Sequence, residues 1–449
     1  MEDSFFEIGG TSLIASKLIL ELIKRDYIVK YEDIFNNQTP GQLAKFLSGN
    51  QDIKEINDSY DYTDINNLLS ENTFENFSKG EKREIGNLLL TGVTGYLGIH
   101  VLYDYIKNEK GTVYCILRKG EFESCRDRLV NLMNYYFDGD LSDLIGSRII
   151  LSEGDITNFD GFKKLKNYSI DTIINCAAIV KHYTADDYIF KVNVDGVING
   201  IKFAQSIGAR FVQISTLSVI LPYMDEKLAS GIKIDEKTLY YGQDLSNKYI
   251  NSKFLAERNV LEAAINGLDV KVIRIGNLMG RYSDGLFQKN YNTNAFLANI
   301  KSIKNLQNVS NSIYDAKMEI SPIDCTAKAI IALAKTPKEC RVFNCQNNNL
   351  IHIKDIVNAL NSFGYDIKQI GDEEFIEICK KNLDENIQGL ITSNMAIKDS
   401  DISAFAYWDN LGINQTIDIL HGYGFDWPKI DKNYLKRFIS YLNTLKFFN

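Results

Sequence analysis

The stretch from Asn87 to Gly98, which reads NLLLTGVTGYLG, decides the fold of this chain. Its leucines predict a buried strand, and three glycines spaced as GxxGxxG follow at once. The next residues, Ile99 to Ile106, have apolar side chains at helical spacing. Glycines let the backbone approach a pyrophosphate, and a helix N-terminus favours an anion, so the stretch predicts a dinucleotide site. The predicted cofactor-binding residues of this turn are Gly92, Thr94, Gly95, Tyr96, Leu97 and Gly98.

Beyond this turn, short apolar runs alternate with helical stretches. Continuous apolar strands separated by helices predict βαβ units and a parallel sheet that is covered on both faces. We therefore predict an α/β, Rossmann-type doubly wound parallel sheet over residues 81–280. Residues 281–449 are less regular, and we predict a smaller, mainly helical substrate-binding region with a returning sheet strand near 341–345. The candidate strands of the main sheet are 113–117, 149–152, 172–175, 210–214 and 270–275.

The N-terminal part has a different pattern. Residues 1–50 predict a short all-α unit, in which Thr39 caps a helix and Pro40 takes its first position. Residues 51–80 are rich in Asp, Asn, Ser and Glu and show little periodicity. We interpret them as a linker between the helical unit and the sheet.

Composition narrows the function classes. The chain has 449 residues, with 45% hydrophobic and 24% charged residues, which suits a globular protein of two to three domains. The net charge of −8 argues against nucleic acid as a partner. Neither a membrane span nor a basic signal peptide is evident, and the seven cysteines and four histidines are scattered. We expect a cytoplasmic chain with reduced thiols, no membrane partner and no metal.

A basic residue follows the second predicted strand. Arg118 occupies the position at which NAD-preferring sites carry an acid, so it favours the 2′-phosphate of NADPH. Arg128, one helical stretch later, fits a second phosphate clamp and equally fits a solvated helix arginine. Asp155 follows the third strand and can accept the adenine amino hydrogens. Further predicted cofactor contacts after the third and fourth strands are Ile156, Ala177 and Ala178.

A tyrosine and a lysine four residues apart suggest the chemistry. Tyr249 and Lys253 share one face of a predicted helix, where the ammonium lowers the tyrosine pKa and suits the phenol to proton transfer. Thr216 ends the fifth strand, which places its hydroxyl beside the cofactor to polarise a carbonyl. We predict Thr216, Tyr249 and Lys253 as the catalytic residues. Lys253 and Tyr249 are also predicted to contact the cofactor.

Glycine turn, basic second strand, strand-end hydroxyl and YxxxK occur here in one order, which resembles the extended short-chain dehydrogenase/reductase superfamily. A second motif lies upstream. Residues 3–13, DSFFEIGGTSL, resemble the DxFFxxGGxSL motif of peptidyl and acyl carrier proteins. That resemblance implies a covalent 4′-phosphopantetheine arm on Ser12, and the alternative is an ordinary helix-capping serine. It also implies a partial carrier domain whose first helix is missing.

A carrier followed by a reductase resembles the C-terminal end of a nonribosomal peptide synthetase with its terminal thioester reductase. Residues 274–288 (RIGNLMGRYSDGLFQ) and 321–324 (SPID) resemble stretches of that family. The resemblance implies NADPH-dependent release of a carrier-bound peptidyl or acyl thioester as an aldehyde, with some members continuing to the alcohol. It also implies upstream synthetase modules as partners, and we expect a monomer. By the same resemblance, Gly276, Asn277 and Leu278 contact the cofactor.

Three alternatives remain open at this point. A nucleotide-sugar epimerase or dehydratase shares the fold, although Arg118 and the carrier motif argue against it. A redox-inactive relative that cyclises its product would lack the catalytic tyrosine. A non-catalytic module that docks a carrier would not bind NADPH. The identity of the acyl group and the choice between aldehyde and alcohol leave no mark in the sequence.

Overall fold

The computed structural model describes residues 3–48, 59–180, 187–221, 234–382, 390 and 411–448, apart from the single positions 11, 24, 26, 28 and 30. The strands in these ranges are β1 (Leu88–Thr91), β2 (Val113–Leu117), β3 (Ile149–Glu153), β4 (Thr172–Asn175), β5 (Arg210–Thr216), β6 (Val270–Ile275), β7 (Leu278–Met279), β8 (Asn308–Ser310), β9 (Lys317–Met318), β10 (Ser321–Pro322), β11 (Val342–Cys345), β12 (Ile351–His352) and β13 (Lys368–Ile370).

Helices connect and cover these strands. In chain order they are α1 (Ser12–Ile23), α2 (Tyr31–Asn36), α3 (Pro40–Leu47), α4 (Thr63–Ser70), α5 (Phe74–Lys79), α6 (Tyr96–Asn108), α7 (Cys125–Phe137), α8 (Asp160–Lys163), α9 (Tyr188–Phe190), a π-helical turn (Lys191–Asp195), α10 (Gly196–Ile207), α11 (Lys248–Ile265), α12 (Ala295–Leu306), α13 (Asn311–Asp315), α14 (Ile323–Ala334), α15 (Ile353–Asn361), α16 (Asp372–Lys381), α17 (Asn414–Gly422) and α18 (Lys432–Thr444). Short 3-10 turns lie at Ser142–Leu144, Leu217–Val219 and Tyr291–Thr293.

Within the described residues, seven strands form one parallel sheet in the order β11-β6-β5-β4-β1-β2-β3. The order reverses between β1 and β4, and ligands of open α/β sheets bind at such a switch point. Strands β1, β2, β4 and β11 are buried along their whole length, as a sheet covered on both faces requires. The predicted doubly wound fold is therefore confirmed.

Helices form a layer on each face of the sheet. On one face, α4, α8, α10 and α11 pack against the sheet around Phe211 and Phe254. On the other, α6, α7, α14 and α17 surround Leu90 and Ile273. Because the strands are parallel, their carboxyl ends lie together at one edge of the sheet, where the β1–β4 switch point is a place for a site.

The C-terminal part is more interleaved with the sheet than its sequence indicates. Strand β11 pairs with β6, as predicted, but α14 also packs on α6 and α17 packs on β11. Both helices therefore belong to the covering layers of the sheet. The remainder, including α12, α13, α15, α16 and α18, has its own core around Phe287, Tyr434 and Phe438.

The N-terminal helices follow the local signals of the sequence. The Thr39 hydroxyl accepts from the Gln42 N–H at 3.2 Å, and the Gln42 side chain accepts from the Thr39 N–H at 3.1 Å, which forms a capping box. Pro40 is the first residue of α3, as predicted. Ala15 and Ile19 of α1 belong to the same apolar cluster as the C-terminal core. Ser12 begins α1, and its side chain lies outside the described residues.

The second half of the segment predicted as a linker, residues 51–80, is helical. Residues 51–58 lie outside the described ranges, but α4 packs on α11 and α5 packs on α17, with Ile65 and Leu69 of α4 buried. The Asn72 side chain continues the edge of the sheet. Its amide donates to the Val342 carbonyl at 2.9 Å, and its oxygen accepts from the Arg341 N–H at 2.6 Å.

Replacing Asn72 tests this edge contact. Asn72→Ala leaves buried backbone groups of β11 without partners, so we expect the free energy of unfolding to fall by about 2 kcal/mol. Denaturant unfolding of the whole chain measures the loss. Asn67→Ala, an exposed position on the preceding helix, is the control and should change the free energy of unfolding by less than about 0.5 kcal/mol. Equal stability of the two variants would contradict a structural role for this contact.

Candidate active site

The glycine turn after β1 lies against the end of β4. Gly92 has a φ of +69°, and a Cβ there would lie 2.5 Å from the Ala177 backbone nitrogen. A Cβ on Gly98 would collide with the Gly92 carbonyl oxygen. The turn thus needs glycine at both positions, one for backbone conformation and close approach, the other for helix packing. Ala177 and Ala178, with their short side chains, complete this narrow passage.

The helix that follows the turn begins without a side-chain cap. Gly95 is the N-cap residue of α6 and brings no side chain to its first N–H groups, which suits them to an anion. The Tyr96 hydroxyl donates to the Met279 carbonyl at 3.0 Å, so its side chain ties the helix to the C-terminal part. Thr94 and the buried Leu97 lie in the same turn. The glycine cradle therefore fits the pyrophosphate of a dinucleotide.

Two arginines meet at the end of β2. The Arg128 guanidinium donates to the Arg118 carbonyl at 2.6 Å, and burial and the Arg118 charge lower the pKa of Arg128. Arg118 is 63% exposed and pairs with Asp155 at 3.2 Å. Two like charges held side by side favour an anionic group between them. The structure brings Arg118, Arg128 and Asp155 together, and Ile156, the residue after Asp155, is buried.

Polar side chains form a buried ladder beneath the strand ends. The Thr91 hydroxyl donates to the Asn175 side-chain oxygen, and the Asn175 amide donates to Gln213 at 2.8 Å. These contacts join β1, β4 and β5 at the same level, because the strands are in register there. The ladder satisfies polar groups that would otherwise be buried without partners.

The three residues predicted as catalytic lie on two adjoining elements. Thr216 ends β5, and its hydroxyl oxygen accepts from the Ser218 N–H at 3.2 Å. Tyr249 and Lys253 lie one turn apart on α11, and both are buried. The Lys253 ammonium donates to the Ile214 carbonyl at 2.6 Å, which anchors α11 to β5 two residues before Thr216. Burial lowers the pKa of Lys253 to about 8, while Glu257 and Cys176 raise it.

Residue Asn193, which has no sequence signal, organises the loop after β4. It lies in the π-helical turn, a feature often found at functional sites. Its side chain accepts from the Ile179 N–H at 2.8 Å and donates to the Ile179 carbonyl at 3.0 Å. It also donates to the Ser252 hydroxyl of α11 at 2.9 Å. Asn193 therefore joins the cofactor loop to the helix that carries Tyr249.

A buried carboxyl supports the third predicted cofactor segment. Glu319 accepts from the N–H groups of Asn277 and Asn347 and from the Ser321 hydroxyl. Burial raises the pKa of Glu319 to about 7. A Cβ at Gly276 would lie 2.5 Å from a Glu319 oxygen, so a side chain there would displace the Glu319 carboxyl group. Glu319 thus fixes the backbone of Gly276 and Asn277, next to Leu278 in β7, although no local pattern in the sequence marks it.

The described residues give no sign of two other kinds of site. No group of three or more His, Cys, Asp or Glu side chains within those residues is arranged to hold a metal ion. Among the described helices, none combines the length and apolar character that crossing a membrane requires.

Comparison with protein families identifies the central part of the chain. The family described as male sterility protein, an NAD-binding domain, matches residues 90–330, which is more than half of the chain. The solved structure of a thiolation-reductase di-domain from an archaeal non-ribosomal peptide synthetase is 58% identical. It covers 100% of this chain and 94% of its own, with a TM-score of 0.93. The solved aureusimine biosynthetic cluster reductase domain is 26% identical, with a TM-score of 0.69, and covers 86% of this chain and 98% of its own.

Curated relatives are longer proteins. A linear gramicidin synthase of Brevibacillus parabrevis is 24% identical over 470 residues, which is 98% of this chain and 9% of that protein. The L-2-aminoadipate reductase of Saccharomyces cerevisiae is 24% identical over 410 residues, which is 82% of this chain and 29% of that protein. The chain thus spans less than a third of the length of these two relatives. The predicted resemblance to terminal reductases of peptide synthetases is confirmed.

A matched pair of glycine variants tests the cradle. Gly92→Ala should abolish binding of the nicotinamide cofactor, because its φ is positive and its Cβ would displace Ala177. Gly208→Ala is the control, since its φ of +71° is equally unusual but its Cβ would meet no atom within 4 Å. Gly208→Ala should cost about 1 kcal/mol of stability and leave binding unchanged. Cofactor fluorescence titration measures the binding affinity of each variant, and denaturant unfolding measures its stability. Equal affinity in the two variants would refute the role of the glycine turn in cofactor binding.

Proposed function

The chain belongs to the male sterility protein family, and we propose that it releases a carrier-bound peptidyl or acyl thioester by reduction with NADPH. The observation that carries the proposal is the placement of Thr216, Tyr249 and Lys253 at the carboxyl edge of the sheet that bears the glycine cradle. The carrier motif at Ser12 supports the thioester as substrate, because carrier and reductase share one chain.

The residues present fit a dinucleotide. The glycine cradle and the N-terminus of α6 would hold the pyrophosphate, and the tyrosine and lysine of α11 would hold the nicotinamide ribose. Arg118 and Arg128 support NADPH over NADH, because their adjoining charges suit a 2′-phosphate. Further proposed contacts are Thr94, Tyr96, Leu97, Asp155, Ile156, Ala177, Ala178, Gly276, Asn277 and Leu278. When bound, the cofactor supplies the hydride for the substrate carbonyl carbon.

The chain's own residues manage charge and protons. The Thr216 and Tyr249 hydroxyls donate to the thioester carbonyl oxygen as negative charge develops on it. Tyr249 then transfers its proton to that oxygen, and the Lys253 ammonium stabilises the remaining phenolate. The resulting hemithioacetal then breaks its C–S bond as its hydroxyl proton passes to the leaving sulfur, which gives an aldehyde and the free pantetheine thiol. A second reduction at the same site would give the alcohol.

The carrier and the boundaries of the units complete the proposal. We assign 4′-phosphopantetheine to Ser12, which begins α1 and so offers a helix N-terminus to a phosphodiester. The partners are then upstream synthetase modules that load this arm. We place the carrier unit at residues 1–50 and the cofactor-binding sheet at 81–280, extended by α4 and α5 and by the returning elements β11, α14 and α17.

Turnover of a model substrate tests the reaction. The purified chain, NADPH and an acyl-pantetheine thioester should consume NADPH and form aldehyde or alcohol, as measured by absorbance and mass spectrometry. Tyr249→Phe should lower kcat at least about 100-fold without weakening NADPH binding more than a few-fold. Tyr240→Phe, a neighbouring tyrosine that stacks on Tyr62, should retain kcat. Binding without turnover in the parent chain would contradict the proposal, and undiminished turnover in Tyr249→Phe would remove the tyrosine from the mechanism.

Arginine variants test the choice of cofactor. Arg118→Ala should raise the Kd for NADPH by about 10-fold to 100-fold, because one charge-assisted contact is lost, and should leave the Kd for NADH nearly unchanged. Arg126→Ala, an exposed arginine on the same helix as Arg128, should change neither constant. Calorimetry measures the Kd of each variant for NADPH and for NADH. An equal loss of affinity for both cofactors in Arg118→Ala would exclude 2′-phosphate recognition.

A further inference from the structure

A fully buried ion pair lies one helical turn beyond the catalytic lysine. The side chains of Glu257 on α11 and Arg274 on β6 are both 0% exposed. Two guanidinium nitrogens contact the same carboxylate oxygen, Nη2 at 2.8 Å and Nε at 3.0 Å. Removing such charges from water costs several kcal/mol per ion, and well-packed apolar residues often replace buried pairs without loss of stability. The pair therefore calls for a reason besides stability.

The contacts of the pair suggest that reason. The Ser215 hydroxyl donates to the Glu257 carboxylate, and Ser215 directly precedes Thr216 on β5. The Arg274 guanidinium donates to the Thr238 carbonyl at 2.9 Å, in the chain segment that leads into α11. The Glu257 carboxylate thus links β5, which ends at Thr216, to α11, which carries Tyr249.

The charge of Glu257 also acts on Lys253. Lys253 and Glu257 are four residues apart on α11 and therefore share a face. The titratable groups that act on the Lys253 ammonium are Glu257 on its own helix and Cys176 after β4, and Arg274 of β6 pairs with Glu257. Burial lowers the pKa of Lys253, and the largest effect in the opposite direction comes from Glu257.

We propose that Glu257 is a positioning residue for the reduction, whose carboxylate aligns Thr216 with α11 and keeps Lys253 in its ammonium form. The role rests on the proposed function, because only a reaction that uses Tyr249 and Lys253 needs this alignment. Glu257 itself touches neither substrate nor cofactor. It acts through Ser215 on the strand and through its charge on the lysine.

The dependence of activity on pH is the first readout. Activity requires charged Lys253, so it should fall as pH rises through about 8, the pKa to which burial lowers this group. Glu257→Gln removes the charge that opposes this lowering, so the alkaline limb of kcat/KM for NADPH should move to lower pH by on the order of one unit. The kcat below the limb should also fall, because Ser215 and α11 lose a shared acceptor.

Two further variants separate this role from stability. Glu257→Gln combined with Arg274→Gln leaves no unpaired buried charge, so it should recover stability while the limb stays shifted. Asp269→Asn, which breaks the contact of the largely buried Arg210 at the opposite edge of the sheet, should lose stability without moving the limb. If the alkaline limb of kcat/KM lies at the same pH in the double variant as in the parent protein, the ion pair is only structural. Unfolding of both Glu257 variants would equally assign Glu257 to stability and overturn the proposal.

A direct titration keeps this inference independent of turnover. NMR of the chain with ¹³Cε-labelled lysine, with Lys253 assigned through Lys253→Arg, reports the pKa of Lys253 without any substrate. We expect a lower pKa in Glu257→Gln and in the double variant, and an unchanged pKa in Asp269→Asn. Absence of thioester turnover in the parent chain would refute the proposed function alone. An unchanged Lys253 titration in both Glu257 variants would refute the role of Glu257.

Discussion

The close passage of two backbones between β1 and β4 is the constraint on which the rest of the site depends. Gly92 turns the chain with a positive φ directly against Ala177, and Gly98 brings α6 down onto the same turn. No side chain fits between these backbones, so the space above them is bounded by N–H groups and small residues. Because all strands of the sheet are parallel, their carboxyl ends lie at the same edge, which brings Arg118 and Thr216 to the two sides of this cradle.

Buried charge sets the chemistry at that edge. Lys253 is held on the Ile214 carbonyl, at full burial, where an ammonium is costly. Its charge persists at neutral pH because Glu257 lies one turn away and is itself held by Arg274. In the proposed reaction Tyr249 therefore works one helical turn from a lysine whose pKa of about 8 lies near neutral pH. Glu319 is a second buried charge-bearing group near the site. It holds the Asn277 N–H, and burial favours its protonated form.

Local sequence signals predict the elements whose cause is local. The predicted bounds of β2, β4 and β6 agree with the structure, since buried parallel strands are continuous apolar runs. The glycine turn, the basic end of β2 and the YxxxK helix are also recognisable, because each depends on spacing within a few residues. The predicted start of strand β11 lies within one residue of its observed start at Val342.

Other features depend on contacts distant in sequence and leave no local pattern. Helices α4 and α5 are polar and short, and Asn72 acquires its role only where β11 presents an open edge. Asn193 lies in a π-helical turn that no periodicity reveals. Glu257 does carry a signal, four residues beyond Lys253, but its meaning depends on Arg274 in a neighbouring strand. Side-chain networks between elements are thus what the sequence alone does not determine.

Transfer of an isotopic label shows whether the hydride of NADPH reaches the carbonyl carbon of the substrate. NADPH that carries deuterium at its transferable position would be incubated with the chain and an acyl-pantetheine thioester, and the product would be analysed by mass spectrometry. Hydride transfer at the edge formed by Thr216, Tyr249 and Lys253 predicts one deuterium on the carbonyl carbon of an aldehyde, or two on the carbinol carbon of an alcohol. An unlabelled product, or a carboxylic acid formed while NADPH remains intact, would contradict reductive release by this chain.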